Sequence, residues 1–181
     1  MREIDPLRLD VAAFAKEGAE AQGTWPLSTL ARVAESVPAD APIGEGEAVK
    51  WFARGESRAV RGGEPQVWLQ LRADACVPLQ CQRCLKAVGV PLQVDRHFLF
   101  VHGEDAAAQL DADSEDDVLA MTRALDVREL IEDELLLAMP IVPRHEVCPE
   151  PLIAAADDGV VDDETPHPFA ALAALKRTPL N

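Results

Sequence analysis

Apolar residues recur at Leu7, Val11, Phe14 and Ala15, the spacing of a short amphipathic helix that Gly18 would end. Ser28 can cap a second short helix running through Ala34 and stopped before Pro38, and residues 38–46 are a turn rich in proline, glycine and acid. From Glu47 the period falls to two. Val49, Trp51 and Ala53 alternate with Lys50, Phe52 and Arg54, and Val67, Leu69 and Leu71 alternate with Trp68, Gln70 and Arg72. These are two strands, with the turn Arg61-Gly62-Gly63-Glu64 between them, and residues 88–94 with 97–101 supply a further long strand or pair. Connections this short leave no room for helical crossovers, so an antiparallel sheet is predicted.

Residues 104–117 are acidic and alanine-rich with little to bury, which reads as a mobile loop. The helical period returns at residues 127–139, where Asp126 is the N-cap and Glu129 sits three positions on, as in a capping box. Val127, Leu130, Ile131, Leu135 and Ala138 would face inward, and Glu129, Glu132, Asp133 and Glu134 would form a solvated acidic face. Pro140 ends the helix. The fold class expected is α+β: one domain over residues 1–148, with short N-terminal helices and an antiparallel sheet covered by the long amphipathic helix. Residues 149–181 would be an acidic, flexible, proline-containing tail closed by a short apolar helix at 168–176.

Charge sharpens this division. The net charge is −15, but residues 1–103 carry 12 basic and 13 acidic side chains while residues 104–181 carry 5 and 19. Bulk electrostatic attachment to nucleic acid or to an anionic membrane is excluded. Residues 50–96 reverse the balance, with 8 basic side chains against 4 acidic. No stretch reaches the roughly 18 apolar residues that span a bilayer, and the start of the chain lacks a signal-peptide core, so a cytoplasmic location is expected.

In a reducing compartment Cys76, Cys81, Cys84 and Cys148 are packing residues, metal ligands or redox groups rather than disulfide partners. The two-residue spacer of Cys81-Gln82-Arg83-Cys84 lets a tight turn aim both sulfurs at one ion. Zinc needs two more donors, which His145 and Cys148 supply most compactly, with Cys76 a rival. The competing readings are small packing residues at a strand turn and a thioredoxin-like redox pair, although that pair belongs at a helix N-terminus after a strand. No glycine-rich phosphate loop, nucleophile elbow or H-E-x-x-H is present in the sequence.

Strand parity places Lys50, Phe52 and Arg54 on one face of the sheet, as it does Trp68, Gln70 and Arg72. With Arg83 and Lys86 beyond them, Lys50, Phe52, Arg54, Trp68 and Arg72 are the candidate RNA-contacting groups, pairing cations with stacking rings. An ordinary solvated sheet face is the alternative.

Several segments together resemble the bacterial YceD family: Asp5-Pro6-Leu7-Arg8, Gly23-Thr24-Trp25-Pro26-Leu27, Leu79-Gln80-Cys81-Gln82-Arg83-Cys84-Leu85, the run from Glu129 to Pro143 (E-L-I-E-D-E-L-L-L-A-M-P-I-V-P), and Pro168-Phe169-Ala170-Ala171-Leu172. The resemblance implies a cytoplasmic, non-enzymatic factor needed for synthesis, processing or stability of 23S ribosomal RNA. Its partners would be 23S rRNA or large-subunit precursor particles, together with a ribosome-assembly or RNA-processing protein. The alternative is a zinc- or thiol-dependent enzyme, or a protein adaptor that acts in RNA metabolism without touching rRNA. Some family members carry two cysteines in the C-terminal segment, completing a four-cysteine site with the C-x2-C. Here only Cys148 is present, and His145 stands as the substitute ligand for one Zn.

Overall fold

The computed structural model describes residues 4–149. In chain order they form α1 (Val11–Lys16), β1 (Glu20–Pro26), a 3-10 turn (Leu27–Thr29), α2 (Ala31–Glu35), β2 (Ala48–Arg58), β3 (Gln66–Gln80) and β4 (Ala87–Val101), then α3 (Glu104–Asp113), β5 (Asp117–Ala120) and α4 (Val127–Ala138). The strands make one sheet in the order β1-β2-β3-β4-β5, antiparallel except for the parallel β4–β5 pair. The class is α+β, as the periodicity predicts. The expected acidic tail and its terminal helix lie, from residue 150 on, outside the described residues.

The period-2 pattern sorts the sheet into two faces. Val49, Trp51, Ala53, Leu69, Leu71, Ala73, Val94 and Phe98 are buried on one of them, in a core shared with Val11 and Phe14 of α1, Val33 of α2, and Val127, Ile131 and Leu135 of α4. α1 approaches β2 so closely that a Cβ on Gly55 would lie 2.6 Å from the Ala15 backbone nitrogen, and the Gly55 N–H donates to the Ala19 carbonyl at 2.9 Å. Only glycine permits that crossing.

On the opposite face, register aligns Lys50 with Asp74, Phe52 with Arg72, Arg54 with Gln70 and Arg72 with Asp95. One end of this face is covered, where Trp68, Leu99, Val118 and Ala107 of α3 form a second small core.

Three expectations are corrected. Residues 104–117 are not a mobile loop, because alanines favour a helix, Glu104 and Asp105 suit its N-terminal dipole, and Ala107 has Trp68 to pack against. α3 is then a crossover, which makes β4 and β5 parallel and the sheet mixed. Residues 20–26 form a strand whose half-buried Ala21, Gly23 and Trp25 are too small or too few to announce it, although Trp25 stacks on Trp51 with ring centroids 4.7 Å apart.

The third correction concerns α4. Asp126 caps it as predicted, accepting from the Arg128 and Glu129 N–H groups at 2.9 and 3.1 Å, and Val127, Ile131 and Leu135 face the core while Ala138 is exposed. Glu132 and Glu134, assigned by periodicity to a solvated face, are buried. Glu132 Oε1 accepts from the backbone N–H groups of Arg32 and Val33 at 2.6 and 3.2 Å, so α2 is capped from α4 and not by Ser28. Glu134 pairs with Arg96 at 3.2 Å.

β3 and β4 outrun the rest of the sheet. The pairing of β2 with β3 stops at Asp74, so residues 75–80 and 87–92 continue as a two-stranded arm. The loop at its tip carries the C-x2-C motif.

Candidate metal centre

The tip loop is closed by backbone hydrogen bonds that fix where its sulfurs point. Cys81 N–H donates to the Lys86 carbonyl and Leu85 N–H to the Cys81 carbonyl, each at 2.9 Å, while Leu85 takes the left-handed conformation (φ 61°) that L-residues seldom adopt. Such a turn leaves the sulfurs of Cys81 and Cys84 on one side.

The chain after α4 returns to this loop. Pro140 stops the helix, and the carbonyl of buried Pro143 accepts from the Gln82 N–H at 2.8 Å. Arg83 then holds the next residues: its Nη2 donates to the carbonyls of His145 and Glu146 at 3.2 and 3.3 Å, and its Nε to Cys148 Sγ at 3.0 Å. His145 Nδ1 lies 3.4 Å from Cys84 Sγ. The ligating atoms of Cys81, Cys84, His145 and Cys148 all fall within 4.8 Å of one another, with Cys81 buried and the other three half-buried.

Electrostatics at the centre separates the two cysteines of the motif. Burial pushes the Cys81 thiol up, but the backbone N–H groups of Cys84, His145 and Arg83 and the His145 side chain aim at its sulfur and bring its pKa to about 5. For Cys84 the Lys86 N–H lowers the pKa, yet burial and the adjoining Cys148 and Cys81 sulfurs raise it overall. Sulfurs crowded this closely titrate as a set. A dication would favour the ionised form of Cys84 beside Cys81.

The donor set fits zinc. Three thiolates and an imidazole are a common structural zinc complement, and Zn–S near ~2.3 Å with Zn–N near ~2.0 Å requires donors roughly 3.3–3.8 Å apart, within reach of small side-chain rotations. Cys76, the rival ligand, is exposed on β3 and is not among the four.

A protein-family model, "Large ribosomal RNA subunit accumulation protein YceD", matches residues 69–176, more than half of the chain and all four donors. The chain belongs to the YceD family. A curated YceD protein of Haemophilus influenzae, the large ribosomal RNA subunit accumulation protein, is 29% identical over 95% of this chain and 96% of its own length. No solved structure matches. No helix among the described residues of this YceD chain is long and apolar enough to cross a membrane.

The candidate RNA-contacting residues scatter. Lys50 and Lys86 are exposed and Phe52 is half-buried on the open face. Trp68 is only 6% exposed, sealed under α3 with the Arg58 guanidinium 4.2 Å above its ring, so it offers no stacking surface. Arg54 lies between Glu20 and Glu56 at 3.6 and 3.8 Å, and Arg72 pairs with Asp95 at 3.1 Å. Arg83 is engaged by the His145–Cys148 segment. The visible signal for that role is an arginine lying between the two cysteines of the C-x2-C motif.

Proposed function

We propose that this YceD protein is a non-catalytic factor that supports accumulation of 23S rRNA during assembly of the large ribosomal subunit. The observation that carries this reading is the family match, which spans the arm, its C-x2-C tip, α4 and the returning His145–Cys148 segment. One zinc ion held by Cys81, Cys84, His145 and Cys148 would supply no reaction step; it would fasten the segment after α4 to the tip of the arm. Metal-coupled folding makes such a centre a structural staple. Residues 1–148 then act as the working domain.

RNA contact would run over the open sheet face through Lys50, Phe52, Arg54 and Arg72, with Lys86 at the arm tip. Arg54 and Arg72 already have carboxylate partners, an observation that favours a second reading in which this face meets a protein of the assembly pathway. Complementation decides the main claim. In a bacterium lacking its own YceD, the wild-type chain should restore the ratio of 23S to 16S rRNA, and a folded chain that leaves the ratio at the deletion level overturns the proposal.

A further inference from the structure

We infer that Cys84 and Cys148 form a disulfide when a hydroperoxide oxidises the centre, replacing the metal as the link between the arm tip and the chain after α4. Metal release in this scheme rests on the zinc reading above; the disulfide itself rests on sulfur geometry. Three sulfurs lie within 4.8 Å of one another. A disulfide needs about 2.05 Å between sulfurs and roughly 3.5–4.5 Å between Cβ atoms; side-chain rotation closes the first distance, and the second is set by the backbone of the tip loop and of the returning segment.

Accessibility selects the pair. Cys81 has no exposed surface, whereas Cys84 and Cys148 are half-buried and open to a small oxidant. Arg83, donating to Cys148 Sγ at 3.0 Å and to two carbonyls just before it, keeps that sulfur facing the tip loop. A peroxide therefore meets two sulfurs already held side by side.

The chemistry balances as a two-electron oxidation. The Cys148 thiolate attacks one peroxide oxygen; an S–O bond forms, the O–O bond breaks, and hydroxide leaves to be protonated to water. Cys84 then displaces the oxygen from the resulting sulfenic acid, forming the S–S bond and releasing a second water. In sum, two thiolates, one hydrogen peroxide and two protons give one disulfide and two waters. Cys81 and His145 remain as donors, and two donors do not hold structural zinc. The covalent bridge would keep the segment docked after the ion has gone, so the oxidised protein stays folded through the step.

Hydrogen peroxide alone, titrated onto the full-length protein, tests this with three readouts: metal liberated to a chromogenic chelator, intact mass, and disulfide mapping of proteolytic fragments. The expected result is loss of two hydrogens per chain, a Cys84–Cys148 cross-linked peptide and one metal released per cross-link. The Cys76→Ser variant should give the same cross-link. A Cys81–Cys84 cross-link, an intermolecular disulfide or sulfinic acid as the main product overturns the inference. Protein that contains no metal when purified without added zinc refutes the zinc reading instead, and the same mapping on that protein still decides the disulfide.

Discussion

Arg83 donates its Nε–H to Cys148 Sγ across 3.0 Å, joining the tip of the β3–β4 arm to a residue 65 positions later. With the proposed Zn²⁺ bound, three thiolates and one imidazole would carry a net charge of −1, and this guanidinium is a cation placed against them. Arg83→Met should keep the side-chain bulk and lose both the charge and the carbonyl clamp. Loss of such outer contacts typically weakens metal affinity about 10- to 100-fold. Chelator competition reads this directly; an unchanged zinc affinity would leave Arg83 with no part in the centre.

Glu132 presents a different kind of clamp. Its carboxylate, 8% exposed, takes two backbone N–H groups at the start of α2 together with the Arg32 side chain. Glu132→Ala strands those donors and should cost about 2–3 kcal/mol, whereas Glu132→Gln retains an acceptor and should cost about half as much. Urea unfolding at saturating zinc measures both. Equal costs would show that packing of the side chain, and not its acceptor oxygen, matters at this position.

Glu134 sets a pH dependence. Burial raises its pKa against the opposing pull of Arg96, with Asp117 and Asp133 adding to the rise. A carboxyl with a raised pKa binds more protons in the folded chain than in the unfolded one, so its contribution falls as pH climbs from the ordinary glutamate value through the folded one. Glu56 and Asp95 act in the opposite sense. Arg58 bonding lowers the first and Gln70 bonding the second, so their contributions are present above the ordinary carboxylate values and are lost as pH falls. Glu134→Gln removes only the first slope. Relative to wild type, the variant should therefore gain stability as pH climbs from the ordinary glutamate value through the raised one, and a difference that stays constant with pH refutes the assignment.

What could be read from the chain and what could not follow one physical division. β2, β3, β4 and α4 bury continuous apolar rows, and their period survives in the sequence. β1 is held by its ladder with β2 and buries only Ala21 and Trp25 in part, and α3 buries one alanine against Trp68, too little apolar surface to leave a pattern. Glu132 and Glu134 went astray because helical periodicity assigns faces, while only the fold brings the α2 N-terminus and Arg96 to those faces. The centre was legible as a donor set, since C-x2-C and H-x2-C are local. What was not legible was the return of the chain after Pro140, made by the Gln82–Pro143 bond and by Arg83. The burial of Trp68 is hidden for a related reason: alternation gives its face correctly, but residues 104–117 carry no apolar pattern that announces the helix covering that end of the face.

The open face carries the last prediction. Lys50, Arg54 and Arg72 share it with Glu20, Glu56, Asp74 and Asp95, so the surplus of cations counted along residues 50–96 does not survive on this surface. RNA binding there would have to displace the Asp95 partner of Arg72, leaving Lys50 as its best phosphate contact and Phe52 as its stacking ring. Lys50→Glu with Arg72→Glu should then weaken binding to 23S rRNA fragments and reduce the salt slope by about 1–2, since each phosphate contact contributes close to one unit. Phe52→Ala should cost a further ~1–3 kcal/mol if a base stacks on it. Arg83 is left intact in this test, because altering it would disturb the metal centre and confuse lost binding with lost structure. Filter binding from about 50 to 200 mM salt is the measurement. If the wild-type protein shows no salt-dependent affinity, or the folded double variant binds and complements as well as the parent, the face serves a protein partner and rRNA is reached only through it.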